Sequence, residues 1–577
     1  MKKILTCLCF ALPGFWVAAQ TNILSTNLTA EQVLLGNYSP ATYLPSVVVN
    51  HPDDIVPAIL NGVSPDSLKA YLLEMIPFEN RNTGADTLSA VTGIGAARRW
   101  VHRKFSEISV QNEGRLLPSY LQFDQNICNS PRHRNIFAVL PGIDTSAHGV
   151  VLIEAHIDSR CAGECDINCP ALGMEDNGSG TALVLELARV MSRLAFDRTI
   201  VFLITIGEEQ GLLGAEAFAT YCSTKGIPIR AVLNNDVVGG IICGATSSQP
   251  SCPGFNHIDS TQVRLFSAGS FNSRNKQLSR FIKLEYIEEA LDLVAVPMMI
   301  TIMSAEDRTG RGGDHIPFRE QGFAAMRFTS ANEHGNANVS SPSYHDRQHT
   351  SDDILGVDTD GDSVLDSFFV DFNYLSRNTV INGIGAAMAA IGPVTPDFQA
   401  VKNNEFATVD ITDPLDYNHY RVFVRSTTHD FDTIYTTFEK QLVFSIPSGI
   451  FYVSVASVDA NGIESLFSKE VLPGVVSATN EPEAVILPAV ELLQNRPNPF
   501  DEATVISFLV NREITYREAV IQVSDLAGKV LWYQKLDLKT GMNEVLYEHG
   551  YNVTGVYAYS LIIDGELAGT RQMIFAN

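Results

Sequence analysis

The sequence predicts an α/β protein with a central, mostly parallel mixed sheet sandwiched by helices, followed by two small all-β sandwich domains. Three observations carry that prediction. Between residues 63 and 392, short apolar runs alternate with segments whose apolar residues recur at helical spacing, the pattern of strand–helix units around a parallel sheet. Beyond Gly392-Pro393 the helical spacing stops and short period-two segments replace it. The 577 residues also exceed what a single core organises.

The elements follow in order. Residues 1–19 combine Lys2 and Lys3, a short apolar run and the ending Val17-Ala18-Ala19, and read as a secretory signal peptide cut after Ala19. The run is too short for a membrane helix, and no later segment has the length and apolarity of a membrane span. Residues 20–62 are an N-terminal extension without firm periodicity. In the 63–392 segment, buried strands are predicted at 135–141, 149–154, 199–205, 231–234 and 324–328, with helices over 181–194 and 277–293. Functional residues of such sheets gather at the carboxyl ends of the strands.

Residues 393–475 carry Tyr420-Arg-Val-Phe-Val-Arg425 and Gly449-Ile-Phe-Tyr-Val-Ser-Val-Ala-Ser457. With the turn that ends at Gly462, this segment resembles a fibronectin type III β-sandwich. A linker rich in Glu, Pro and Ala spans 476–489. Residues 490–577 contain Leu493-Gln-Asn-Arg-Pro-Asn-Pro-Phe500, Val523-Ser-Asp-Leu-Ala-Gly-Lys-Val530 and Gly555-Val-Tyr-Ala-Tyr-Ser-Leu-Ile-Ile-Asp-Gly565. In this order the three pieces resemble the sorting domain of type IX secretion cargo. The resemblance implies passage across an outer membrane, with release or surface attachment, and the secretion machinery as a partner.

The 40 Lys and Arg against 65 Asp and Glu give a formal net charge of -25, a field that argues against nucleic-acid binding. Nine cysteines less Cys7 and Cys9 of the signal peptide leave Cys128, Cys161, Cys165, Cys169, Cys222, Cys243 and Cys252. In an oxidising compartment these favour disulfides stapling the 161–169 loop over a thiolate metal knuckle, and the odd count leaves one thiol over.

Five segments place acidic or His residues beside predicted strand ends: His156-Ile-Asp158, Glu175-Asp176-Asn177-Gly-Ser-Gly180, Glu208-Glu209, Asn235-Asp236 and Tyr344-His-Asp-Arg-Gln-His-Thr-Ser-Asp-Asp353. Singly, each fits a surface pair, a turn or a solvated loop. Together they supply the His and carboxylate donors that bind borderline divalent metals such as zinc. The ordered motifs resemble peptidase family M28, the bacterial leucyl aminopeptidase and glutamate carboxypeptidase group of zinc enzymes.

That resemblance implies two zinc ions per chain, with His156 and Asp236 on one, Glu209 and His349 on the other, and Asp176 bridging. Asp158 would orient the His156 ring and Glu208 would be the general base. The peptide bond between Asp176 and Asn177 would be cis. His349, with Asp353 as its partner, follows from His-Thr-x-x-Asp, while Tyr344-His345 matches some relatives and leaves His345 open. The inserted Arg160–Pro170 loop would rim the cleft. Asp358-Thr-Asp-Gly-Asp362 is like a calcium loop, but the glycine position and Phe369 at position twelve do not fit an EF-hand, and no calcium is assigned.

The implied function is an exported exopeptidase acting on peptides, most simply an aminopeptidase, secreted or held at the outer-membrane surface. A glutamate carboxypeptidase-like enzyme is the rival, with Arg308, Arg311 and Arg327 as candidate carboxylate binders. A catalytically silent surface binding protein on the same fold would show substitutions in the metal set, and none is present. A one-zinc glutaminyl cyclase is disfavoured because the ligands of both ions are there.

Overall fold

The computed structural model describes residues 20–242, 258–269, 273–307, 312–331, 347–403, 405–427, 430–447, 449–475, 490–500, 503–512, 514–525, 529–550 and 553–576. The predicted signal peptide and the 476–489 linker, with Cys243, Cys252, Arg308, Arg311 and His345, lie outside the described residues.

Nine strands build the main sheet: β1 (Thr21–Ser25), β2 (Leu117–Ile127), β3 (Ser130–Leu140), β4 (Val150–His156), β5 (Ile200–Thr205), β6 (Ile229–Asn235), β7 (Gln262–Ser267), β8 (Met299–Ile302) and β9 (Ala325–Ser330). Their spatial order is β1-β2-β3-β5-β4-β6-β9-β7-β8. The centre, β5-β4-β6-β9, is parallel. One flank is antiparallel from β1 through β3 to β5. On the other, β7 runs antiparallel to β9 and parallel to β8. The sheet is therefore mixed, with its parallel strands where helices cover both faces.

Burial explains why the central strands read as unbroken apolar runs. Every residue of β4 and β5 is buried, as expected of strands covered on both faces. Successive side chains still part company: Val151, Ile153 and Ala155 enter one apolar layer, while Val150 and Leu152 enter the other. The first layer is closed by helices α2 (Pro52–Gly62), α3 (Pro65–Met75), α4 (Gly93–Gln111), α5 (Gly180–Met191), α7 (Arg274–Glu285) and α9 (Phe372–Ile391). The second is closed by α1 (Leu28–Leu34), α6 (Leu213–Lys225) and α8 (His315–Glu320). No described helix is long and apolar enough to cross a membrane.

Two β units follow. Residues 398–475 form a four-stranded and a three-stranded sheet around Val409, Val422, Val424, Phe444 and Val453. Residues 490–575 form a three-stranded and a four-stranded sheet around Ile506, Phe508, Ile521, Val523 and Tyr559. The first unit packs on α7: the Phe281 and Phe467 rings stand 5.6 Å apart, and Gln277 Nε2 donates to the Ser468 carbonyl at 2.9 Å.

Disulfides join Cys128 to Cys165 and Cys161 to Cys169, so the inserted loop is stapled internally and to the β2–β3 hairpin. Among the described cysteines, Cys222 is a buried free thiol.

Candidate metal centre

The parallel strands deliver their ends to one place. His156 is the last residue of β4, Asp236 directly follows β6, and Glu208 and Glu209 lie just beyond β5. The turn before α5 adds Asp176. Its peptide bond to Asn177 is cis, as the resemblance implied. Asn177 Oδ1 accepts the Gly180 N–H at 2.9 Å and begins the helix. Gly180 is required by close approach, since a Cβ there would stand 2.3 Å from the Asn235 carbonyl oxygen at the end of β6.

Asp176 lies between two histidines. Its Oδ1 is 3.4 Å from His156 Nε2, and its Oδ2 is 3.1 Å from His349 Nε2. His156 Nε2 also faces Asp236 Oδ1 at 3.3 Å, and His349 Nε2 faces Glu209 Oε2 at 3.2 Å. Two sets result, His156–Asp176–Asp236 and Asp176–Glu209–His349, each with its donor atoms within 4.8 Å of one another. Glu209 Oε1 is buried with no hydrogen-bond partner in the protein. A carboxylate oxygen left bare in this way costs several kcal/mol unless a ligand meets it. Two histidines and three carboxylates with an orphaned oxygen fit a pair of borderline divalent ions, and zinc suits this donor set.

Electrostatics agree. His156 is buried, which opposes its charged form, yet the Glu208 and Asp236 carboxylates hold its pKa well above the ordinary value. Asp176 is held well below the carboxylate range: burial opposes this, and hydrogen bonds from His156 and His349 overcome it. Glu208 belongs to neither set. Burial first, then repulsion from Asp236 and Glu209 against the pull of His156, raises it well above its usual range.

Asp158 works mainly through the backbone. Its carboxylate accepts the N–H groups of Glu208 at 3.4 Å and Glu209 at 3.2 Å, and the Thr83 hydroxyl at 3.2 Å. His156 Nδ1 lies 3.0 Å from the Asp158 carbonyl oxygen and 3.5 Å from its carboxylate. The ring is therefore oriented by the main chain first, and the carboxylate fixes the Glu208-Glu209 turn.

Asp353, expected beside His349, instead accepts the N–H groups of Glu175 at 2.8 Å and Asp176 at 3.0 Å. Arg327, weighed as a carboxylate binder for substrate, is fully buried and bonded to Asp236 Oδ2 at 3.1 Å and to Asp307. Arg160 and Arg81 went unassigned in the sequence. Arg81 is fully buried and donates to the carbonyls of Ile157, Leu172 and Gly173, tying the His156 turn to the Asp176 turn. A buried arginine has no sequence signature, whereas Arg160 directly follows the His-x-Asp-Ser run. In the 358–366 loop, Asp358 accepts N–H groups of Asp360, Gly361 and Ser363, so its alternating aspartates have a turn-forming role.

The His and carboxylate sets lie at the ends of the sheet's parallel strands, and sequence similarity makes the chain a hydrolase, a peptidase. The sequence profile of Peptidase family M28 matches residues 135–364. A protein of Pyrenophora tritici-repentis named "Probable zinc metalloprotease" is 31% identical over 49% of this chain and 67% of its own length. The chain belongs to peptidase family M28. Among solved structures, the LapA aminopeptidase of Legionella pneumophila is similar at 19% identity, covering 60% of this chain and 78% of that one, with a TM-score of 0.42. The glutaminyl cyclase of Porphyromonas gingivalis is similar at 17% identity, covering 56% of this chain and 98% of that one, with a TM-score of 0.38.

Proposed function

We propose that this peptidase is an exported, zinc-dependent aminopeptidase with two zinc ions per chain. The observation that carries the reading is Asp176, whose two oxygens face the two His–carboxylate sets while Glu208 stands outside both. His156 and Asp236 would hold one ion, Glu209 and His349 the other, and Asp176 both. Zinc held there supplies Lewis acidity to a water and to the scissile carbonyl.

The remaining work falls to the chain. Glu208 takes the water's proton and returns it to the leaving amine, a role left open to it by its place outside both ligand sets. Asp158 holds the Glu208 and Glu209 N–H groups, so base and ligand keep fixed directions. Asp353 and Arg81 fix the turn that presents Asp176.

The burial of Arg327 against Asp236 and Asp307 removes one basic group that a carboxypeptidase would aim at substrate, which favours the aminopeptidase over its rival. Aminoacyl-arylamides with free amines, tested beside N-blocked peptides with free carboxyl ends, separate the two. Turnover of the former with two zinc ions per chain by elemental analysis is expected. Release of residues only from the carboxyl end, or an active protein without zinc, would overturn the reading. Export rests on the signal peptide and on the resemblance of residues 490–577 to a type IX sorting domain, with the fibronectin-like unit between. A chain ending at residue 489 should stay inside the outer membrane of a type IX-competent host, and its appearance outside would remove that assignment.

A further inference from the structure

The two carboxylates that close the metal sets each carry an arginine, and the two arginines are built differently. Arg327 Nη2 meets Asp236 Oδ2 at 3.1 Å, while its Nη1 meets both oxygens of Asp307 at 3.0 and 3.1 Å. Its charge is shared by two carboxylates and balanced within the core. Arg160 Nε meets Glu209 Oε2 at 2.7 Å. Its other contacts are the carbonyls of Cys161 at 3.3 Å and Ala162 at 3.2 Å, and His349 Nδ1 at 2.8 Å. Among the described residues, Glu209 is the one carboxylate paired with Arg160, and that same carboxylate closes the second metal set.

We infer that Arg160 competes with the second zinc ion for Glu209 and His349, and thereby holds that site's affinity below its neighbour's. The inference rests on the two-zinc reading above. Charge gives its sign. A guanidinium stays charged at any accessible pH, so an arriving dication meets a like charge already bonded to its carboxylate ligand. The same guanidinium lies 2.8 Å from His349 Nδ1, where a metal-ligating histidine ordinarily faces a carboxylate, carbonyl or water.

The stapled loop keeps the competitor in place. Arg160 directly precedes Cys161, which is bridged to Cys169, and the guanidinium is held by carbonyls of the same loop. Its side chain is 18% exposed, so it sits at the cleft wall rather than in the core, where Arg327 lies.

Zinc titration of the metal-free full-length chain, followed by calorimetry and by competition with a chromogenic chelator, tests this. Wild-type protein should bind two ions with unequal affinities. Arg160→Leu and Arg160→Gln should each tighten the weaker site about tenfold, a fraction of what removing a like charge at this range is worth, and leave the tighter one unmoved. Arg160→Lys, which keeps the charge without the fork, should fall between. Adding Glu209→Gln should abolish the weaker isotherm in both backgrounds and so identify it. Two ions with the weaker site unchanged or weakened in the Arg160 variants would overturn the inference and leave the two-zinc reading intact. A single ion in every protein would remove the two-zinc reading, and the inference with it.

Discussion

Glu208 and Glu209 are chain neighbours with different surroundings. Glu209 faces His349 and Arg160, whereas Glu208 is outside both ligand sets with a raised pKa. Glu208→Gln keeps size and hydrogen bonding but cannot accept the proton. It should bind zinc as wild type does and lose turnover by about 10²–10⁴-fold, the range for removing a general base. Metal analysis beside single-substrate kinetics checks both halves, and a variant within tenfold of wild type would reject the assignment. The last ligand can be decided the same way. His349 is already 3.1 Å from Asp176, so His349→Ala should reduce bound zinc from two ions to one while His345→Ala leaves two. The opposite stoichiometries would move the ligand to His345.

At the scale of elements, the site depends on how the turn between β4 and α5 is tied down. Asp353 accepts both the Glu175 and the Asp176 N–H, and burial raises its pKa to about 7 despite those bonds. Asp353→Ala strands two N–H groups, at about 1–3 kcal/mol for each one left unsatisfied. It should melt earlier and bind zinc about 10–100-fold more weakly. Asp353→Asn, with one acceptor oxygen, should lie between. A shift in melting with unchanged zinc affinity would show that Asp353 supports the fold and not Asp176.

What was legible in the sequence follows from the same physics. Central strands buried on both faces appear as apolar runs, which is why β3, β4, β5, β6 and β9 could be read. The edge-side β2 alternates buried and half-buried residues through Ser119, Gln122 and Asp124 and carries no such run. Nearly every residue of α9 from Asn378 onward is buried, which erases the amphipathic period. The ligand motifs were legible because metal chemistry restricts residue types. Asp353 was legible as an acid beside His349, but not as a backbone acceptor for a turn more than 170 positions earlier.

In the whole molecule the apolar core runs without a break from the peptidase sheet into the first β unit. Phe423, Phe431, Ile463 and Phe467 join the same cluster as Phe281 and Ile282 of α7. Around this contact lies a charged seam. Arg421 pairs with Glu288 and Glu464, and Lys283 with Asp430 and Glu544, the last from the C-terminal unit. The seam is rich in acid, for Glu285 and Glu289 stand beside the same arginine. Burial first, and then Glu288 and Glu289 against the attraction of Arg421, raise Glu464 from the usual 4.5 to about 8. A carboxyl raised on folding leaves the native state holding more protons than the unfolded chain between those two values. Stability therefore falls as pH rises through that window, with no contribution below it. Glu464→Gln keeps an oxygen for Arg421 Nη1, which donates to Glu464 at 2.7 Å, and removes the titration. Thermal melts should show the wild-type midpoint falling from pH 5 to pH 8 more steeply than that of the variant. The gap at pH 8 should be about 2 °C or more, as roughly 1 kcal/mol moves a large domain, and it should close at pH 5. Glu285, also raised well above its ordinary range by burial and by Glu464, leaves the variant a residual slope. Parallel curves across that range would show that Glu464 stays ionised at the seam, with Arg421 strong enough to hold it so.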